Sequence, residues 1–254
     1  MKEYIKKILK DYPTLFKVAK FIRWLPKNAM QYLAIKLARI FHFKDVISAD
    51  LILSIGNHCH AAYYMQEYNL RKFASPIDWM KYYSLDSLLE LFRNDFNSFF
   101  INHYEDFEKA QDNGKCRWLV DKNNGMIARH HFLKEYPLEK QFENFYKKQM
   151  QRFSKIKNYL RSAKSIAFIS CREDSIEDMK KFLLGFYKLY NIKLTIINFR
   201  NDKNNEYKQT ITINEDLSII EYCFDNTYPL KKNQTLQDVG EISWIGNYKK
   251  WGGV

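Results

Sequence analysis

Apolar positions along the chain change period several times, and each change marks an element. Leu51, Ile52, Leu53 and Ile55 form a short continuous apolar run, which predicts a buried strand ending at Gly56-Asn57. The segment Asn57–Tyr68, opened by Ala61 and Ala62, reads as the helix that follows. Leu88, Leu89, Phe92 and Phe96 recur at helical spacing and predict a helix over Leu85–Phe100. Trp118–Val120 and Met126–Ala128 are short strands around Asn123-Asn124-Gly125, a turn that suits a hairpin. Leu138–Ala163 is a long charged helix with Phe142, Phe145, Met150 and Phe153 on its apolar side. A strand at Ser165–Ser170, a helix at Ile176–Tyr190 and a strand at Leu194–Asn198 complete a helix–strand–helix–strand order, which favours parallel strands. Ile211–Phe224 reads as a strand or hairpin around Asn214-Glu215-Asp216. The predicted fold class is α/β.

The pattern before residue 47 differs. Ile5, Ile8, Leu9, Leu15, Phe16, Phe21, Ile22 and Leu25 recur at helical spacing between lysines, with Pro13 and Pro26 as breaks. Ala29–Phe41 is a second amphipathic segment. Of the formal charge of +12, residues 1–46 supply most: eleven Lys/Arg stand there against three Asp/Glu. We therefore divide the chain into a basic helical extension, 1–46, and a main domain, 47–254. The extension is either a helical cap with solvated lysines or an element that lies on an anionic membrane surface.

Composition narrows the class. Hydrophobic residues make up 46% and aromatics 17%, while Gly and Pro number only eight and five, so the chain is globular and neither a repeat array nor a linker. The four cysteines (Cys59, Cys116, Cys171, Cys223) have no paired spacing, which suits free thiols in a reducing compartment. With no secretory leader and no apolar run of membrane-spanning length, the expected location is cytoplasmic, at the inner face of the membrane if the basic extension binds there.

Cys59 is the leading chemical candidate. A strand, a tight turn, a thiol and a helix start in succession place the sulfur among unpaired N–H donors at the positive end of the helix, which favours thiolate over thiol. Gly56 is expected to give the turn a backbone that other residues resist. Of the six histidines, His58 and His60 are chain neighbours that point away from the thiol, so the base is sought elsewhere, at His130 after the Met126–Ala128 strand. Asn198 and Asp78 both qualify as the group that orients the imidazole, although Asp78 equally suits a plain ion pair with Arg71. Asn57 or backbone N–H groups near Cys59 are the oxyanion donors. His58-Cys59-His60 and His130-His131 lack the pair spacing zinc requires, so no metal is expected. No P-loop, dinucleotide or GxSxG motif is present, and no nucleic-acid-binding signature supports that partner.

The run Ser54-Ile55-Gly56-Asn57-His58-Cys59-His60-Ala61-Ala62, then Leu70-Arg71 and Ser75-Pro76-Ile77-Asp78-Trp79-Met80, resembles the start of the papain-like cysteine peptidase family (domain of unknown function 1796). Arg129-His130-His131-Phe132 is similar to that family's N-H-D-F motif, with the histidine at His130 and His131 in place of the Asp. Arg152-Phe153, the strand running from Ile166 to Arg172, Asn198, and the closing Tyr248 and Trp251 extend the likeness from Asp50 to the C-terminus. The resemblance implies a papain-like domain with a central mixed or parallel sheet and many helices, with the thiol at a helix head and the histidine on the sheet. It requires no cofactor. A more distant likeness, to coenzyme A-binding acetyltransferases of capsule polysaccharide synthesis, implies coenzyme A or acyl-coenzyme A as a co-substrate held by Arg71, Arg129 or Arg172.

The expected activity is acyl transfer or hydrolysis through an acyl-thioester on Cys59, with a glycan or acylated small molecule as substrate. The alternative is a non-catalytic binding or scaffolding protein of a surface-glycan pathway in which Cys59 is buried.

Overall fold

A computed structural model of the chain describes residues 47–67 and 70–225. The helices expected in residues 1–46, with the domain division they imply, and the aromatics Trp244, Tyr248 and Trp251 lie outside the described residues.

In chain order the first elements are β1 (Leu51–Ser54), α1 (Cys59–Glu67), β2 (Met80–Lys81), α2 (Leu85–Arg93), β3 (His103–Glu105), α3 (Phe107–Gln111), β4 (Leu119–Asp121) and β5 (Ile127–Ala128). They are followed by α4 (Leu138–Leu160), β6 (Ser165–Ser170), α5 (Ile176–Tyr190), β7 (Lys193–Asn201), β8 (Tyr207–Thr212) and β9 (Leu217–Phe224). The main sheet has five strands in the order β1-β6-β7-β9-β8. Four run parallel, and β8 returns antiparallel on β9 at the edge, so the sheet is mixed. A second sheet, β2-β5-β4-β3, is antiparallel throughout. This is an α/β architecture consistent with a papain-like fold.

Strand order follows from burial. β1 and β6 are almost wholly apolar, as strands covered on both faces must be, and they pair in parallel with Leu51 opposite Ile166. Helix α5 starts with a capping box between Ser175 and Asp178 and stops at Asn191, whose left-handed φ of 51° closes the last turn. Between the sheet and the helices lies an aromatic core. Phe92 of α2 meets Phe186 of α5 at 4.9 Å, edge to face, and Phe96 stacks on Phe153 of α4 at 4.3 Å. Each such ring, fully buried, contributes about 2–3 kcal/mol.

Helix α2 is shorter than its periodicity predicts. It ends at Arg93, and Asp95, Phe96 and Phe100 take positive φ values of 56°, 59° and 54°. Phe96, Phe99 and Phe100 are all fully buried, and turns replace the helix over residues 94–101. The left-handed turn delivers all three to one core, at a backbone cost that their burial outweighs. The expected hairpin is present as β4–β5, closed by Gly125 at φ 72°. The last hairpin, β8–β9, starts at Tyr207, earlier than the apolar pattern indicates. β2, β3 and α3 are too short to leave a periodic signal. Among the described residues no helix is long and apolar enough to cross a membrane.

Candidate active site

The loop from β1 leads directly to Cys59, which opens helix α1. The thiol is free and half-buried. As the first helical residue it lies among the N–H groups that no helical carbonyl satisfies. The loop before it is held at three successive carbonyl oxygens. Ile55 O accepts from Arg172 Nη1 at 3.1 Å, Gly56 O from the Tyr83 hydroxyl at 2.6 Å, and Asn57 O from the Tyr82 N–H at 3.2 Å. Gly56 does not adopt the unusual backbone expected of it, since only Gly114 and Gly125 among the described glycines have positive φ. Its requirement is steric. A Cβ there would lie 2.9 Å from Ala61 Cβ, 3.4 Å from His58 O and 3.6 Å from the Cys171 N–H nitrogen. A glycine therefore lets the loop close onto both α1 and the end of β6.

Sequence reasoning missed Lys81, which lies half-buried in β2, the strand bonded to the loop that delivers Cys59. Desolvation lowers its pKa and the interaction with Cys59 raises it. The same ammonium acts on His58, His60 and His130. Two bulky residues bracket this two-residue strand in the left-handed region, Trp79 at φ 69° and Tyr82 at φ 58°. Backbone of that kind costs about 1–3 kcal/mol per residue and persists only where the surroundings enforce it. The one signal in the sequence was an isolated lysine between Met80 and a tyrosine pair, which no periodicity singles out.

β2 ladders with β5, Lys81 opposite Ile127 and Met80 opposite Ala128, and the chain leaves β5 through Arg129 into His130. Thus one short ladder carries Lys81 on one strand and leads to the histidine on the other. Partial burial lowers the His130 pKa, and the charges of Arg129 and Lys81 lower it further, so the ring is neutral near pH 7. No hydrogen bond joins Cys59 to a histidine among the described residues; the two share Lys81. Arg129 is anchored by Asn113, whose Oδ1 accepts from Arg129 Nε at 2.9 Å and whose amide donates to the Arg129 carbonyl at 2.7 Å. Its guanidinium lies 5.3 Å from the Trp118 ring centre.

The structure gives the other expected residues different work. Asn198 is fully buried and spends its amide on the sheet. Its Oδ1 accepts from Ser170 Oγ at 2.8 Å and the Arg172 N–H at 3.0 Å, while Nδ2 donates to Arg172 O at 3.0 Å and Glu221 Oε2 at 2.9 Å. None of these partners is a histidine, so Asn198 cross-links β6, β7 and β9 and does not orient an imidazole. Asp78, also fully buried, pairs with Arg71 at 2.8 Å and accepts the Ser75 N–H at 2.9 Å. Burial raises its pKa against those bonds, and its Oδ1 is left without a partner. That is the ion-pair architecture, again with no histidine contact. Asn57 has a buried Oδ1 with no partner, an acceptor. Its amide Nδ2, like the N–H groups in the first turn of α1, is of the donor type that suits an oxyanion.

Of the three cations expected to hold coenzyme A, Arg71 and Arg172 are committed within the protein. Arg71 holds Asp78 and Gln66, whereas Arg129 is held only through Nε by the neutral Asn113. Arg172, only 2% exposed, reaches Ile55 O, Tyr83 O at 2.6 Å and Asp174 at 2.8 Å, and cannot meet a phosphate from solution. Among the remaining cysteines, burial pushes the Cys171 and Cys223 thiols up, away from reactivity. Among the described residues no group of three or more His, Cys, Asp or Glu side chains converges as metal ligands.

Residues 50–200, more than half of the chain, match the model of a family described as "Putative papain-like cysteine peptidase (DUF1796)". An uncharacterized protein of Acanthamoeba polyphaga mimivirus is 22% identical over 200 residues, which cover 69% of this chain and 89% of that protein. No solved structure matches.

Proposed function

From the premise that the chain belongs to the papain-like cysteine peptidase family, and is thereby a cysteine-dependent enzyme, we propose that Cys59 is its nucleophile and His130 its base. The reaction passes through an acyl-thioester. Cys59 Sγ attacks an acyl carbonyl carbon while the neutral His130 imidazole takes the thiol proton. The carbonyl oxygen becomes an oxyanion held by first-turn N–H groups of α1. The C–X bond then breaks, and His130 returns the proton to the leaving group. Water or a sugar hydroxyl, deprotonated by His130, next attacks the thioester and releases Cys59. Lys81 helps keep the His130 imidazole neutral and ready to accept a proton.

The observation that carries this reading is the β2–β5 ladder: the Tyr82 N–H bond to Asn57 O ties it to the loop that delivers the half-buried Cys59, and the chain leaves β5 into His130. We place hydrolysis ahead of transfer from coenzyme A because two of the three expected cations, Arg71 and Arg172, are paired with protein carboxylates.

The test is intact-protein and peptide mass spectrometry after brief exposure to p-nitrophenyl acetate. One acetyl group on Cys59, absent in Cys59→Ala and formed about 100-fold or more slowly in His130→Ala, is the expected result. Acetylation of Cys116 at the same rate as Cys59 would overturn it.

A further inference from the structure

His131 follows the candidate base in the chain but serves a different wall of the molecule. Together with one face of α4 it lines a cleft of about 320 Å³, whose other walls include Lys140, Phe145, Lys148, Gln149 and Arg152. Residues 145, 148, 149 and 152 recur at helical spacing, so a single stripe of α4 presents them side by side. Lys148 and Arg152 are one turn apart, and Lys140 sits two turns below Lys148.

Two features set these cations apart. Among the described residues no carboxylate forms an ion pair with Lys140, Lys148 or Arg152, whereas Arg71, Arg117, Arg172 and Arg200 each hold one. Among the described residues the one side-chain hydrogen bond of the Arg152 guanidinium is Nη1 to Gln149 Oε1 at 3.1 Å, and the buried Asp78 carboxylate acts on it without forming an ion pair. Second, His131 lines this cleft and its Nδ1 atom is buried without a hydrogen-bond partner. An orphaned ring nitrogen beside cations that no carboxylate contacts directly is a set of groups suited to an external anion. The Phe145 ring, edge-on to His131 at 5.1 Å, supplies an apolar floor.

We propose that this cleft binds the phosphoryl group of a small organic phosphate. Lys148, Arg152 and His131 surround the oxygens at one end, where a dianion with three acceptor oxygens suits a guanidinium and an ammonium better than a carboxylate does. The cleft exceeds the size of inorganic phosphate, and Phe145 gives the organic part a surface. Burial and the nearby Arg152, His130 and Lys148 hold the His131 pKa down, and a bound anion would offset that positive field. The inference stands on this cleft and is independent of the thiol reaction.

Isothermal titration calorimetry of the full chain with phenyl phosphate tests it. Saturable binding is expected, weaker by about tenfold or more in Lys148→Glu and Arg152→Gln. Lys148 is exposed, so its substitution leaves folding intact, as a thermal melt verifies. Lys147→Glu, an equal charge change at an exposed position outside the cleft, and Cys59→Ala are both expected to bind as the wild type does. The absence of saturable binding, an equal loss in Lys147→Glu, or tighter binding of benzoate than of phenyl phosphate would each overturn the proposal. Vesicles with and without phosphatidic acid separate the sources: attachment that depends on Lys148 without phenyl phosphate binding overturns a soluble ligand.

Discussion

The backbone N–H of Tyr82 donates to the carbonyl oxygen of Asn57 at 3.2 Å, joining the loop that delivers Cys59 to the strand that delivers Lys81. The adjoining bonds repeat the connection. Tyr83 reaches Gly56 through its hydroxyl, and Arg172 spans the Ile55 and Tyr83 carbonyls. The thiol and its cation are therefore positioned by main-chain contacts and one buried guanidinium.

Replacing Lys81 by Met removes a charge that opposes protonation of His130. The acid limb of esterase activity should move to higher pH, because the His130 pKa returns toward its ordinary value. Unchanged profiles would remove Lys81 from the site.

Arg172→Ala strands the Asp174 carboxylate and leaves the carbonyls of Ile55 and Tyr83 without their donor. A loss of about 3–5 kcal/mol in urea unfolding is expected, as for other broken buried pairs. Because the same guanidinium joins the two strands of the site, labelling of Cys59 should slow even under conditions where the variant is folded.

Gly56→Ala forces a methyl group against Ala61 Cβ and the end of β6. Overpacking of this order costs about 1–3 kcal/mol. Since the clash falls between the loop and the first turns of α1, esterase activity should fall by more than the stability loss accounts for. A variant that is destabilised but fully active would mean that the loop geometry does not matter to the thiol.

His131 gives a pH-dependent stability of definite sign. Burial, with Arg152, His130 and Lys148 adding to it, lowers its pKa to about 4 in the folded chain, against 6.5 in an unfolded one. The unfolded state therefore binds the proton first, and stability present above pH 6.5 is lost as the pH falls toward 4. His58, His60 and His130 are shifted the same way and add to the trend. In phosphate-free buffer, His131→Gln should remove up to about 3 kcal/mol of the dependence seen in urea titrations across that window. Equal slopes for variant and wild type would show that the His131 pKa does not differ between the folded and unfolded chains.

Much of this arrangement was legible in the residue pattern. Apolar runs located β1, β6 and α5, and the helix–strand–helix–strand order anticipated the parallel core. The loop around Cys59 stood out because a strand, Gly-Asn and a helix start adjoin there. What escaped were relationships without a local signature. Lys81 matters through a two-residue strand, and Asn198 and Arg172 look like site residues in the chain but are drawn inward by Ser170, Glu221, Asp174 and backbone carbonyls. A polar residue at the carboxyl end of a strand suits a ligand or an internal cross-link equally well, and only its neighbours in space decide which.

The paired left-handed residues around β2 have a consequence for how the enzyme tolerates change. With Trp79 and Tyr82 turned at either end, Met80 and Lys81 have no room to slide along β5. A slip of one position would exchange their faces, sending an ammonium into the core and a thioether toward the sulfur. Insertions or deletions between residues 76 and 83 should therefore silence the chain even where it still folds, whereas the surface of α4 can drift freely at Glu143 or Lys147. The cation at the thiol is set by the count of residues in a tether, which makes that short stretch the least editable part of the molecule.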